Sequence, residues 1–273
     1  MIRVLTAHTF EIDDPQAAVG EILEQLDLEQ TLRKNSVGLV FCPQDFITSG
    51  TMEAVCNALP FDVIGGTSQA VSVPGAMGEF MLAVMVLTGD TFLSAAGSSR
   101  PFDGDEESRI RELYGRLSSS LAVPPSMMFL IHPQLTGFAG NQVVDTLDQV
   151  SGGRPLFGTV AVGETLKDQS PMIIHNGAAY SDRISLLLIS GVENRFCVES
   201  IPAMDIRNQP VLVTGASGNR LISINHIPAA EFMEKIGIIC NGALNAVSAF
   251  PLLIDNHDGM GLKFCAIHSI END

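Results

Sequence analysis

The chain has 273 residues, of which 46% are hydrophobic and 17% charged, so it can bury a full core and disorder is excluded as its main state. Thirty-one acidic residues against 15 basic ones give a formal net charge of −16, which repels phosphate backbones and anionic headgroups and excludes nucleic acid and membrane surfaces as natural partners. With 14 Phe, 2 Tyr and no Trp, the chain is also poor in the rings that stack on sugars and bases.

Residues 1–10 alternate like an edge strand, and Arg3 and His8 interrupt them, so no signal peptide is expected. Asp13-Asp14-Pro15 reads as a helix N-cap with proline in the first turn, and Ala18, Val19, Ile22, Leu23 and Leu26 follow at helical spacing. Val37 to Gln44 is a buried strand that meets a loop at Pro43. Thr48 or Ser49 should cap a short helix whose apolar stripe is Met52, Val55, Cys56 and Leu59 and which Pro60 stops. Phe61 to Ile64 is a brief strand broken by Gly65-Gly66, and Phe80 to Leu87 is an apolar strand covered on both faces.

The plan then repeats. Phe129-Leu130-Ile131-His132-Pro133-Gln134 answers Leu39-Val40-Phe41-Cys42-Pro43-Gln44 position for position. Val143, Val144, Leu147 and Val150 form the next helical stripe. Pro155 to Thr159 answers Phe61 to Gly66, and Ser185 to Gly191 answers the strand ending at Thr88-Gly89. Four elements matched in order point to an internal duplication. Between the copies, Gly104 to Ser120 reads as a solvated helix with acidic residues at its start. Asn176-Gly177 and Ala216-Ser217-Gly218-Asn219 are hairpin signals. Beyond them, Pro228 should open one helix, Ile238 to Val247 a second, and Lys263 to His268 a final strand. A domain boundary is placed near residue 195.

Phe61-Asp62-Val63-Ile64-Gly65-Gly66-Thr67-Ser68-Gln69-Ala70 resembles the first signature of FIST N-terminal domains. Pro210 to Thr214, Gly218 to Ile222 and Ile227 to Ala230 together resemble the opening of the FIST C-terminal domain. The resemblance implies residues 1–195 as a duplicated FIST N-terminal-like domain and 196–273 as a short FIST C-terminal-like one. It also implies a cytoplasmic sensory or signal-transduction protein. Such domains are proposed to bind small ligands, amino acids among them, and accompany kinase, cyclase or chemotaxis outputs; some relatives carry an F-box.

Glycines after a strand let backbone N–H groups approach a ligand, and neighbouring hydroxyls can bond a carboxylate or amine. The expected site therefore lies between the halves. Gly65, Gly66, Thr67 and Ser68 form one bend, Gly158 and Thr159 its counterpart, with Arg154 nearby as a fork for a carboxylate and His132 at the end of the preceding strand. Replacing Gly65 by Val is expected to remove the ligand response with the fold intact. The bland alternative for each glycine pair is a tight turn.

Cys42 and His132 occupy equivalent positions and offer a nucleophile and a base, though a buried, inert thiol is the stronger reading. Cys42, Cys56, Cys197, Cys240 and Cys265 form no CxxC, and several sit in apolar runs, which suits reduced thiols in a cytosol. The histidines lack metal-site spacing, and Asp255, Asp258 and Gly259 fail the calcium-loop pattern, so neither a metal nor a cofactor is expected. Asn241 and Asn245 would share a helical face and bond a neighbouring helix.

The sequence thus describes a mixed α+β protein, internally duplicated, with sheets packed together under flanking helices and a four-layer αββα stack as its form. Its expected role is a non-catalytic small-ligand sensor, its ligand an amino acid or related metabolite, with a signalling partner supplied in trans, no nucleic acid, no membrane insertion, and room for a homodimer. Two alternatives stand beside it: a hydrolase using Cys42 or His132, and a protein-interaction scaffold.

Overall fold

The computed structural model describes residues 2–133, 140–163, 171–191, 210–218, 220–240, 243–244, 252–255 and 262–265. They fall into two compact units, Met1–Cys197 and Val198–Asp273.

The first unit opens with β1 (Arg3–Thr9) and α1 (Pro15–Leu26), whose N-cap Asp14 accepts from the Gln16 and Ala17 amides. A single turn, α2 (Leu28–Thr31), leads to β2 (Asn35–Cys42). After α3 (Asp45–Thr48) comes α4 (Thr51–Ala58), capped by Gly50 at φ +82° rather than by Thr48 or Ser49. The chain continues through β3 (Val63–Thr67), the hairpin β4 (Val71–Val73) and β5 (Ala76–Gly78), and β6 (Leu82–Gly89). The second pass runs β7 (Leu93–Ser98), α5 (Glu106–Ser120), β8 (Pro125–Pro133), α6 (Gly140–Ser151) and β9 (Leu156–Ala161). It ends with the hairpin β10 (Ile173–His175) and β11 (Ala178–Tyr180), then β12 (Ser185–Ser190).

The two passes build the same sheet. One has the order β1-β6-β2-β3, the other β7-β12-β8-β9. In both, the first two pairings are antiparallel and the third is parallel. The registers agree residue by residue. Val40 faces Gly65 and Val84, and Leu130 faces Gly158 and Leu186. The duplication is therefore longer than the sequence pattern shows, because β7 and α5 answer β1 and α1. The helix at residues 104–120 is not a spacer between the copies; it belongs to the second one.

One element breaks the symmetry. The β10–β11 hairpin belongs to the second pass but joins the first sheet, where β10 runs antiparallel to β3 with Ile173 opposite Gly66 and His175 opposite Ile64. The first sheet thus has six strands, and β3 lies inside it, while β9 remains an edge of the second.

Side-chain alternation divides the unit into three apolar layers. Ala18, Ile22, Leu26, Met52 and Val55 from α1 and α4 cover Val40, Val84 and Val86 on the outer face of the first sheet. Ile110, Leu113 and Leu117 of α5 and Val143 and Leu147 of α6 cover Leu130, Leu186 and Leu188 on the outer face of the second. Leu39, Ile64, Phe92, Ile131, Leu187 and Ile189 cluster between the sheets. This is the expected αββα stack. No helix among the described residues is long and apolar enough to cross a membrane.

The second unit holds β13 (Val213–Ser217), β14 (Arg220–Ile224) and β15 (Ile227–Pro228) as a three-stranded sheet, with Gly218 at φ +56° in its first turn. Helix α7 (Ala229–Lys235) packs Met233 against Ile224. The helix expected at Ile238–Val247 is instead a pair of short strands, β16 (Ile239–Cys240) and β17 (Ala243–Leu244). Gly237, at φ +81°, ends α7 and turns the chain before the apolar run can extend it. Strands β18 (Leu252–Asp255) and β19 (Leu262–Cys265) form the last hairpin. Asn241, Asn245 and Asn256–Gly259 lie outside the described residues.

Candidate functional site

The predicted site residues gather, with one exception, at the carboxyl ends of the parallel pairs β2–β3 and β8–β9. Those pairs are the one place where each copy ends two strands side by side.

Gly65, Gly66 and Thr67 do not form a bend. They are the last three residues of β3, and all are buried. A β-carbon on Gly65 would stand 1.9 Å from the Val40 carbonyl oxygen, and one on Gly158 would stand 2.2 Å from that of Leu130. Both glycines serve close approach of neighbouring backbones. A β-carbon on Gly66 would lie 2.9 Å from Ile131 and 3.1 Å from Ala161, across the gap between the sheets. The two glycine segments do converge, but side chains fill the space between them. No metabolite is held there by bare backbone.

What joins the segments is hydrogen bonding. Val162 donates its amide to the Thr67 carbonyl at 3.0 Å, and Gln69 Nε2 donates to the Gly163 carbonyl at 3.0 Å. The buried Thr67 hydroxyl receives the amide of the half-buried Met172 at 3.0 Å. Ser68 is half-buried; its amide donates to the Cys42 carbonyl and its hydroxyl to the Ala70 carbonyl. Thr159 is exposed on the edge strand. Arg154 is exposed too, but it precedes β9, about 13 Å along the strand from Gly158 and about 20 Å from the level of His132. It does not belong to the cluster.

At the turn from β2 into α3, two residues after the Cys42 carbonyl that accepts the Ser68 amide, the Oε1 atom of Gln44 is buried without a hydrogen-bond partner among the described residues. An unpaired buried acceptor is costly, so Gln44 Oε1 marks a place that calls for a donor. The Pro-Gln pair drew attention in the sequence, but glutamine after proline gives no sign of which way its amide turns. Its counterpart Gln134 lies outside the described residues.

Cys42 and His132 cannot act together. Cys42 lies in the outer core of the first sheet, beside Cys56 and α4, and is fully buried. His132, at the same position in β8, approaches Gly140 at the start of α6. Both sheets lie between the two. Burial, with Cys56 adding to it, raises the Cys42 thiol far above its ordinary range, and burial pushes Cys56 up to about 12. Burial holds both thiols in the neutral form, as it does for structural, inert cysteines.

The His132 Nδ1 lies 2.9 Å from the Pro133 carbonyl oxygen. A carbonyl only accepts, so the proton sits on Nδ1 and Nε2 carries a lone pair. The second buried histidine, His175 on β10, has its Nδ1 3.2 Å from the Ser98 hydroxyl. Burial lowers the pKa of both; at His175 the Asp62 charge opposes the shift and Arg116 adds to it. Folded His132 and His175 therefore resist protonation more than the unfolded chain does. Their stability contribution is complete above about 6.5 and is lost as the pH falls below it. Urea melts at pH 7.5 and 5.5 should give a lower midpoint at pH 5.5, and the double variant His132→Gln/His175→Gln should flatten the difference.

A family model described as FIST N domain matches residues 36–227, from the first residues of β2 into β15. The chain belongs to the FIST family. The match takes in both FIST duplicated parallel pairs and the Gln44–Ser68 corner, and it extends through Ile227, past the end of the first unit. FIST domains are sensory and signal-transduction domains. Among curated proteins, none matches the chain.

Proposed function

We propose that this FIST chain is the ligand-responsive module of a cytoplasmic signalling system, and that it takes a small metabolite bearing an amino group, such as an amino acid, at the carboxyl ends of β2 and β3. The observation that carries the reading is the buried Gln44 Oε1 without a donor, taken together with the half-buried Ser68 at the end of a parallel strand pair. In open α/β sheets the carboxyl ends of strands are the usual place for ligands. An ammonium group answers a lone acceptor, and the net charge of −16 favours its approach. Thr67 holds the strand end in place through Met172, and Gly65 and Gly66 allow the close packing behind it. The signal passes to a partner protein in trans. Residues 196–273, the first part of which the FIST N match includes, are read as a short FIST C-terminal-like domain, and the free, buried Cys42 and Cys56 suit a reducing compartment.

A thermal-shift screen of the amino acids and their amides tests this. At least one should raise Tm in a saturable way without being turned over. Gln44→Leu should abolish that shift and, by removing an unpaired acceptor, raise the ligand-free stability by about 1 kcal/mol. A Gln44→Leu protein that responds as the parent does would refute the site.

A further inference from the structure

A second feature lies between the sheets, back from the carboxyl ends of β2 and β8. A cavity of about 290 Å³ opens between the two sheets, lined by Leu39, Met85, Leu87, Met127, Phe129, Phe157, Leu187 and Ile189. The matched registers make Leu39 the counterpart of Phe129, Met85 of Leu187 and Leu87 of Ile189. The cavity therefore straddles the pseudo-two-fold relation of the duplication, with both copies supplying its walls. It is set back from Gln44: Leu39 lies three residues, about 10 Å, before the end of β2, and Met127 lies six residues, about 20 Å, before the end of β8.

Its chemistry is uniform. Every lining side chain is hydrocarbon or thioether, so a water inside finds no side chain to bond, and a site of this kind favours an apolar guest over water. Native cores hold few voids larger than a water molecule. An apolar cavity of about 150 Å³ accepts a benzene ring, so this one has room for roughly twice that. Met85 and Met127 add walls that adapt to an irregular guest.

The geometry points to a hydrocarbon-binding site walled by both copies, which takes an uncharged molecule with a body of about ten carbon atoms, a medium-length alkyl chain or fused ring pair. The absence of polar lining excludes a carboxylate or ammonium from the interior, so any polar end must stay at the mouth. This site is independent of the amino-group site at Gln44. Binding here also bridges the two copies, and a guest that spreads or draws together Leu39 and Phe129 acts on both sheets at once.

The chain has no Trp, so a fluorescent guest is read against a dark background. The full chain should bind 1-aminonaphthalene, a fused ring pair uncharged at neutral pH, saturably, and 1-decanol should displace it at least about tenfold more effectively than decanoate. Met127→Trp places an indole in the cavity and should weaken 1-aminonaphthalene binding at least about tenfold while keeping or raising Tm. Leu187→Phe provides a second filling variant, should the first fold poorly, and should weaken binding in the same direction. Gln44→Leu should bind the dye as the parent does, which separates this site from the amino-group site. No saturable binding by the parent, equal binding by the filled variants, or a parent dimer that a filled variant converts to monomer would each overturn the proposal, the last by showing a second copy on this face.

Discussion

Gly65→Ala is expected to unfold the protein or to lower its stability by at least about 3 kcal/mol, at the upper end of what overpacking a core costs. In a unit of this size that corresponds to a fall in Tm of about 6–12 °C. The obstacle is backbone: the added carbon would meet the Val40 carbonyl at 1.9 Å and its carbon at 2.8 Å. Strand β3 cannot yield, because β2 holds it on one side and β10 on the other. Gly158→Ala makes the matching contact with Leu130 at 2.2 Å, but β9 is an edge strand and can move outward. Its loss should be less than half as large. Thermal melts of the two variants check this, and equal losses would show that β3 is no more confined than β9. The same geometry overturns the expectation that Gly65→Val would silence a ligand response and spare the fold.

Asn176→Ala should cost about 2–4 kcal/mol, through one buried donor left unpaired and a side chain forced into a left-handed turn. Asn176 sits at φ +48°, and its amide group reaches back to the first copy: Oδ1 accepts the Val63 amide at 2.8 Å, and Nδ2 donates to Asp62 at 2.9 Å. Its own amide donates to the Val63 carbonyl at 2.9 Å. These bonds lock the borrowed hairpin onto β3. Asn176→Gly keeps the turn and loses only the side-chain bonds, so it should retain more stability than Asn176→Ala. Hydrogen exchange should show β10 and β11 opening first in both. Faster exchange in the second sheet than in β10 would contradict the role given to this residue.

Both predictions concern the join between the copies, and that join is where sequence reading ran short. Asn176-Gly177 is legible as a hairpin from its two residue types, because few residues accept those dihedrals. Which strand the hairpin pairs with is not, since β10 lies about a hundred residues from β3 and its three residues carry no partner code. The glycines were legible as positions that need a missing side chain. Whether the need arose from a turn or from a neighbouring carbonyl depended on a strand brought alongside by folding. Cys42 and His132 matched in sequence and are equivalent in the fold, yet the alternation of strands sends them to opposite outer faces. Gln44 was visible as a repeated Pro-Gln, but burial of one amide oxygen is a property of the packed chain.

By itself the sequence determined the mixed α+β class, the repeated strand–helix–strand plan, the edge character of β1, the hairpin turns and the family. These follow from local periodicity and from residues whose backbone preferences act within a few positions. Only the tertiary structure decided that β7 and α5 complete the second copy, that β10 and β11 join the first sheet, and that the glycine segments meet across a packed gap with the cavity farther along between the same sheets. Those outcomes rest on which distant surfaces exclude water together, and that is settled by the whole chain at once.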